Sequence, residues 1–170
     1  PILPQTAINL RHITAISPVL DPRKATAAID AEPLIRGYFL KKWRKSLRKK
    51  QRAFPNLYDF TDVLSLNSCR KITDALITTY SDYQNAADYF SRYTLTGIHP
   101  FRFRIPAVLI AAADDPIIPV EDYQKLHIDD SGRLIIHPHG GHNGFVQDLC
   151  KPRWYERFLI GTFDSISSQT

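Results

Sequence analysis

Two short stretches hold the side chains best suited to chemistry. Asp114-Asp115-Pro116 follows the apolar run Ile105–Ala113, and His137-Pro138-His139-Gly140-Gly141-His142 follows Leu134-Ile135-Ile136. Each run has the length of a buried strand, so each delivers a useful group just past its C-terminal end. In open α/β sheets, reactive groups gather at that edge, where strands stop and loops begin. A carboxylate that fixes the tautomer of an imidazole leaves the other ring nitrogen free to act as a general base.

Of the two acids, Asp115 is the better candidate for the orienting carboxylate. Pro116 starts the next turn and leaves Asp115 at the last exposed corner of the strand, whereas Asp114 is expected to cap backbone N–H groups in that turn. Asp-Asp-Pro is also ordinary turn chemistry, and that reading stays open. Among the histidines, His142 is the candidate base. The glycines before it let a loop enter a crowded site without a Cβ clash. His139 is expected to make a loop hydrogen bond. Three close histidines invite a metal, yet Pro138 and Gly140-Gly141 break helical spacing and no fourth ligand is fixed. No metal is expected.

A nucleophile would stand in a G-x-S-x-G elbow after a strand. The seven glycines are Gly37, Gly97, Gly132, Gly140, Gly141, Gly144 and Gly161, and no pair brackets a serine in that way. Ser17 follows a predicted strand, but Pro18 has no N–H to offer an oxyanion hole. Cys69 and Cys150 read as inert packed thiols. They lack metal-site spacing and form no disulfide framework, so a reducing cytoplasm is expected.

The elements that must position these residues follow from the apolar pattern. Residues 1–12 read as a connection, and Ile13–Ser17 as a short strand stopped by Pro18 and Asp21-Pro22. A helix starts around Asp30–Pro33 and runs to Phe54, ended by Pro55. Ile35, Phe39, Leu40, Trp43, Leu47 and Phe54 share one arc of it, with Lys41, Lys42, Arg44, Lys45, Arg48, Lys49 and Arg52 opposite. Further helices are expected over Ser68–Tyr80, Asn85–Tyr93 and Val120–His127. The last, over Lys151–Phe163, turns Trp154, Phe158 and Leu159 inward. The fold class is α/β: about three parallel strands with flanking helices and one long helical insertion, in a sheet that reads as incomplete.

Composition narrows the partners. Hydrophobic residues at 44% and charged ones at 23% read as a folded globular chain, with no run of membrane-span length. The net charge is +5, yet nine Lys and Arg and no acid lie between Arg36 and Arg52. Elsewhere thirteen basic residues meet seventeen acidic ones. The basic character is therefore one local face, open to three readings: a solvated helix surface, peripheral contact with anionic lipid, or a nucleic-acid patch. No nucleic-acid motif accompanies the charge, so nucleic acid is not expected. The chain opens on Pro1 and contains no methionine, which reads as a fragment or a cleaved chain.

Asp115-Pro-Ile-Ile-Pro119 after one strand, then His139-Gly-Gly-His142-Asn-Gly-Phe145 after the next, resembles the C-terminal half of α/β-hydrolases. The likeness is greatest to the YheT-like esterase and lipase branch. Ile16-Ser17-Pro18-Val-Leu-Asp21 is similar to that branch's Ser-Pro strand end, and Tyr38–Trp43 and Tyr80–Tyr93 to its helical cap. The resemblance implies a hydrolase core over residues 1–22 and 98–170 with a helical cap over 23–97. It implies Asp115 as triad acid and His142 as base, with the serine, the oxyanion hole and the earlier strands upstream of Pro1. It also implies a small-molecule or lipid ester as substrate, an acyl pocket walled by Phe39 and Trp43, and no cofactor. Without the upstream half this chain is expected to be inactive. A non-catalytic binding or scaffold remnant, and a basic helix docking on anionic membranes, are the competing readings.

Overall fold

A computed structural model of the chain describes residues 10–97, 103–147 and 150–168. Most of the connection expected over 1–12 therefore lies outside the described residues. The described residues divide into two compact units: those within 1–18, 97–115 and 120–170 form a sheet unit, and those within 19–96 and 116–119 form a helical unit.

The sheet unit holds three parallel strands, β1 (Ile13–Ile16), β2 (Ala107–Ala112) and β3 (Gly132–His137), in the order β1-β2-β3. Ile13 pairs with Ala107, and Ala107 with Gly132, so all three C-terminal ends share one edge. Every residue of β2 is buried. A central parallel strand is covered on both faces, which is why its sequence is an unbroken apolar run without alternation. Val108, Ile110, Ala112 and Phe145 form a core with Ile16, Ile135, Trp154, Tyr155 and Phe158 packed on it.

Two helices complete this unit. The short α5 (Val120–Gln124) buries Asp122 and Tyr123, and the Tyr123 hydroxyl donates to the Pro18 carbonyl at 2.7 Å. The terminal helix α6 spans Trp154–Ser167, so it begins and ends later than expected. The Arg153 backbone N–H donates to Glu156 Oε2 at 3.0 Å, which sets the start and leaves Pro152 outside. Trp154 and Phe158 stack with ring centroids 5.3 Å apart and face the core, together with Tyr155. Leu159 is half-buried and is not part of that cluster.

The helical unit contains α1 (Pro22–Ala31), α2 (Pro33–Ala53), a 3₁₀ turn (Val63–Ser65), α3 (Cys69–Tyr80) and α4 (Ala86–Ser91). No strand occurs in it among the described residues, as the pattern predicts. Helix α1 was not expected. Asp21-Pro22 reads as a strand stop, yet it is also a helix start. Asp21 Oδ1 accepts from the N–H of Arg23 and Lys24, and Pro22 fills the first turn, where no N–H is needed.

That helix changes the role of Asp30, which lies inside α1 and does not cap α2. Its carboxylate accepts from Ser68 Oγ at 2.8 Å, Cys69 N at 2.7 Å and Arg70 N at 2.9 Å, and so caps α3 from another helix. Burial alone would raise the Asp30 carboxyl. The Arg70 and Cys69 N–H groups, the Ser68 hydroxyl and the Arg36 charge outweigh it and hold the group below its ordinary value. A depressed folded-state value stabilises the fold above the unfolded carboxyl's titration, and the benefit is lost as pH falls through the folded one. Asp30→Ala should therefore cost roughly 1–3 kcal/mol near neutral pH. Urea unfolding should show a lower midpoint with an unchanged slope, and the gap between variant and parent should close in acid.

Two more side chains depart from the sequence pattern. Arg44, expected on the solvent side of α2, is half-buried and donates to the carbonyls of Leu64 and Leu66 at 3.0 and 2.7 Å. Phe54, expected on the apolar arc, is half exposed just past the end of α2, where its ring meets that of Tyr58. Four residues of the arc pack as expected: Leu40 is buried with Phe60, Val63, Cys69 and Ile72, and Phe39, Trp43 and Leu47 lie against that cluster, whereas Ile35 is half-buried and is not part of it.

Candidate active site

The three strand tips carry Ser17, the pair Asp114-Asp115 and the histidine loop to one edge. The Ala113 N–H donates to the His137 carbonyl at 2.7 Å, which extends the β2–β3 ladder to the last residue before the acids. Both loops therefore leave the sheet from fixed, neighbouring points.

Asp115 and His142 meet there. Nδ1 of His142 lies 3.0 Å from Asp115 Oδ2, with the Asp115 side chain 1% exposed and the His142 side chain 28% exposed. A carboxylate oxygen can only accept, so Nδ1 is the donor, and in the neutral ring the lone pair falls on Nε2. The contrast in exposure matters. The orienting oxygen is sealed from competing water, while the ring retains an open side.

Asp114 does something different from its neighbour. Its Oδ1 accepts from the N–H groups of both Gly140 and Gly141 at 2.8 Å. It was expected to cap its own turn. Instead it reaches across to the next loop and ties down the residues that precede His142. These two N–H groups, that of Gly141 foremost, hold the Asp114 carboxyl below its ordinary value. His139 Nδ1 stands 3.6 Å from Asp114 Oδ2 on an exposed side chain, a charge contact too long for the loop hydrogen bond expected of it.

The loop then closes on itself. The Gly140 carbonyl accepts from the N–H of Gly144 and Phe145, and the Phe145 ring is buried in the sheet core. The two glycines serve distinct ends. A Cβ on Gly140 would come within 2.7 Å of the Phe145 ring, so that position must be bare for close approach. Gly141 has open space around it but a φ of 56°, the left-handed region that favours glycine. His142 thus rides on a short ring of backbone anchored at both ends.

The other candidates fall into structural roles. The His137 ring lies against Trp154, with centroids 4.0 Å apart, and against the edge of Phe145. Among the described residues, no group of three His, Cys, Asp or Glu is gathered to hold a metal. Cys69 is buried, and burial with the nearby Asp30 carboxylate pushes its thiol up to about 11. Cys150 is exposed, so the reading of it as a packed thiol is corrected. Ser17 is 5% exposed at a φ of 44°, with its Oγ buried and unbonded among the described residues. A sealed hydroxyl followed by proline is no nucleophile.

Tyr123 and Asp122 escaped the sequence pattern. Burial, and then the nearby charges of Asp115 and Asp122, push the Tyr123 hydroxyl well above its ordinary value. The phenol therefore stays neutral, and its proton is committed to the Pro18 carbonyl. The signal was thin: a two-residue acidic-aromatic step in a five-residue helix.

In the helical unit, Trp43 lines a cleft of about 550 Å³ with Leu76, Ile77, Tyr89 and Phe90 among its walls. Phe39 is not one of those walls and packs beside Leu40 in the core of the unit. Two threonines also face the cleft, but Thr26 donates to the Pro22 carbonyl and Thr73 to that of Cys69. Their protons are committed within the helices, which leaves the cleft predominantly apolar.

No helix among the described residues is long and apolar enough to cross a membrane. No family model matches the chain, and no solved structure matches it. Two curated proteins do. Protein abhd-3.2 of Caenorhabditis elegans is 26% identical over 137 residues, which cover 78% of this chain and 36% of that protein. Protein ABHD15 of Homo sapiens is 26% identical over 161 residues, covering 89% of this chain and 33% of that protein. The chain spans about a third of the length of the curated relatives it matches. It is a distant relative of part of the abhydrolase domain-containing proteins, with a partial α/β fold.

Proposed function

We propose that this chain supplies the acid and the base of a serine hydrolase that cleaves carboxylic esters, with the serine on polypeptide upstream of Pro1. The observation that carries the reading is the sealed Asp115 carboxylate on Nδ1 of the half-open His142. Distant kinship with abhydrolase proteins supports it, because this chain corresponds to only a third of their length.

In this mechanism His142 Nε2 takes the proton of the serine hydroxyl as its oxygen attacks the ester carbonyl. Asp115 holds Nδ1–H and stabilises the imidazolium that forms. The imidazolium then gives its proton to the departing alkoxide, which leaves an acyl-enzyme and a free alcohol. Water, deprotonated by the same Nε2, releases the acid and restores the serine. An apolar acyl chain suits the Trp43 cleft of the helical unit, whose volume lies within the usual range for a small-molecule site.

The test compares this chain with a longer product of the same gene. The longer protein is expected to cleave p-nitrophenyl esters and to label with a fluorophosphonate at a serine outside this chain. This chain alone is expected to do neither. A longer protein that stays silent in both assays would leave a non-catalytic scaffold as the better reading.

A further inference from the structure

The strongly charged face of α2 has no part in the ester chemistry. At about 100° per residue, Lys41, Lys42, Lys45, Arg48, Lys49 and Arg52 fall within an arc of about 120°. All six are exposed. The helix contains no acid, and none of the six is paired with a carboxylate among the described residues. Arg36 and Arg44, two half-buried cations of α2, are occupied with backbone carbonyls and lie outside this row.

Two apolar side chains stand in the same arc at its N-terminal end. Leu34 is 90% exposed and Tyr38 58% exposed, with Lys42 Nζ 5.4 Å from the centre of the Tyr38 ring. At 1.5 Å per residue the helix is a straight bar of about 31 Å. Burying six cations against an apolar surface is prohibitive, so whatever covers this face must carry negative charge.

We propose that this face of α2 docks on a bilayer surface rich in anionic phospholipid. The row of lysines meets the headgroups, and Leu34 and Tyr38 enter the interface at one end. Charge complementarity carries the proposal, and the exposed Leu34 selects lipid over a polynucleotide, which has no apolar layer to receive it. The four lysines are strongly hydrated point charges, suited to diffuse attraction more than to the bidentate phosphate recognition for which arginine is preferred. This inference does not rest on the hydrolase reading.

The probe is flotation of this chain with vesicles of phosphatidylcholine alone and of phosphatidylcholine with phosphatidylserine. Binding is expected only with phosphatidylserine and should weaken steeply as salt rises. Each lysine near the surface contributes about fivefold, so changing Lys41, Lys42, Lys45 and Lys49 together to Gln should lower the partition coefficient by ~10²–10³-fold. The corresponding Glu set should lower it further, and circular dichroism checks that both sets stay helical. Leu34→Ser should weaken binding several-fold without changing its salt dependence. Equal binding to both vesicle types, or none to either, overturns the proposal. So does a duplex DNA or acidic protein that the chain binds at a salt concentration where phosphatidylserine vesicles are ignored.

Discussion

Asp115→Asn in the longer, serine-bearing protein should lower kcat for ester hydrolysis by about 10⁴-fold, with KM nearly unchanged. The substitution is isosteric and keeps the buried site filled. Its cost is electronic and tautomeric. An amide can offer its NH₂ to Nδ1, which then holds the lone pair while the proton moves to Nε2, the nitrogen that must accept the serine proton. Even in the favourable orientation, a neutral oxygen cannot balance the imidazolium in the transition state. His142→Ala removes the base itself and should cost about 10⁶-fold, near the floor set by loss of the whole triad. Because the three groups act as one unit, the double variant should fall little below His142→Ala alone. An Asp115→Asn enzyme within tenfold of the parent would show that another group orients the imidazole. Steady-state kinetics on a p-nitrophenyl ester decides it.

What the sequence revealed of this site was its local chemistry. An apolar strand with no alternation, an acid pair at its end and a glycine-bracketed histidine after the next strand each depend on a few adjacent residues. The central position of β2 follows from the same run, because only a doubly covered strand is apolar on both faces. What stayed hidden depends on contacts far apart in the chain. Asp30 looked like the start of its own helix, and its partners at Ser68–Arg70 lie about forty residues away. Arg44 belongs by period to the solvent face, yet the carbonyls of Leu64, in the 3₁₀ turn, and Leu66, just past it, draw it inward. Asp21-Pro22 shows a different limit. The same pair reads as a strand stop and as a helix start, and the ten residues that follow hold four alanines and a single large apolar side chain, Ile29, so the apolar run itself says little.

The same distinction separates the two neighbouring acids, and it yields the sharpest test of the loop. Asp114→Ala should lower kcat by about 10²-fold in the longer protein, the size expected when a catalytic group is misplaced by roughly an ångström. It should do so without changing the tautomer of His142, whose partner Asp115 remains in place. Asp114 holds two N–H donors, and an ionised oxygen strengthens those bonds without being needed to form them. Asp114→Asn presents an equivalent carbonyl and should therefore stay within a few-fold of the parent. That pattern is the reverse of the one at Asp115, where the isosteric amide fails. Ionisation strengthens the tether over a defined pH range. With the folded-state carboxyl held below its ordinary value, that added stability is present above the unfolded carboxyl's titration and lost as pH falls through the folded one, while the neutral acid keeps a carbonyl oxygen for the two N–H groups. Urea midpoints should therefore fall less between neutral and acid pH in Asp114→Asn than in the parent, because an amide does not titrate. Equal damage from Asn at both positions would mean that the two carboxylates share a single role, and the division of labour between holding the loop and holding the imidazole would fall.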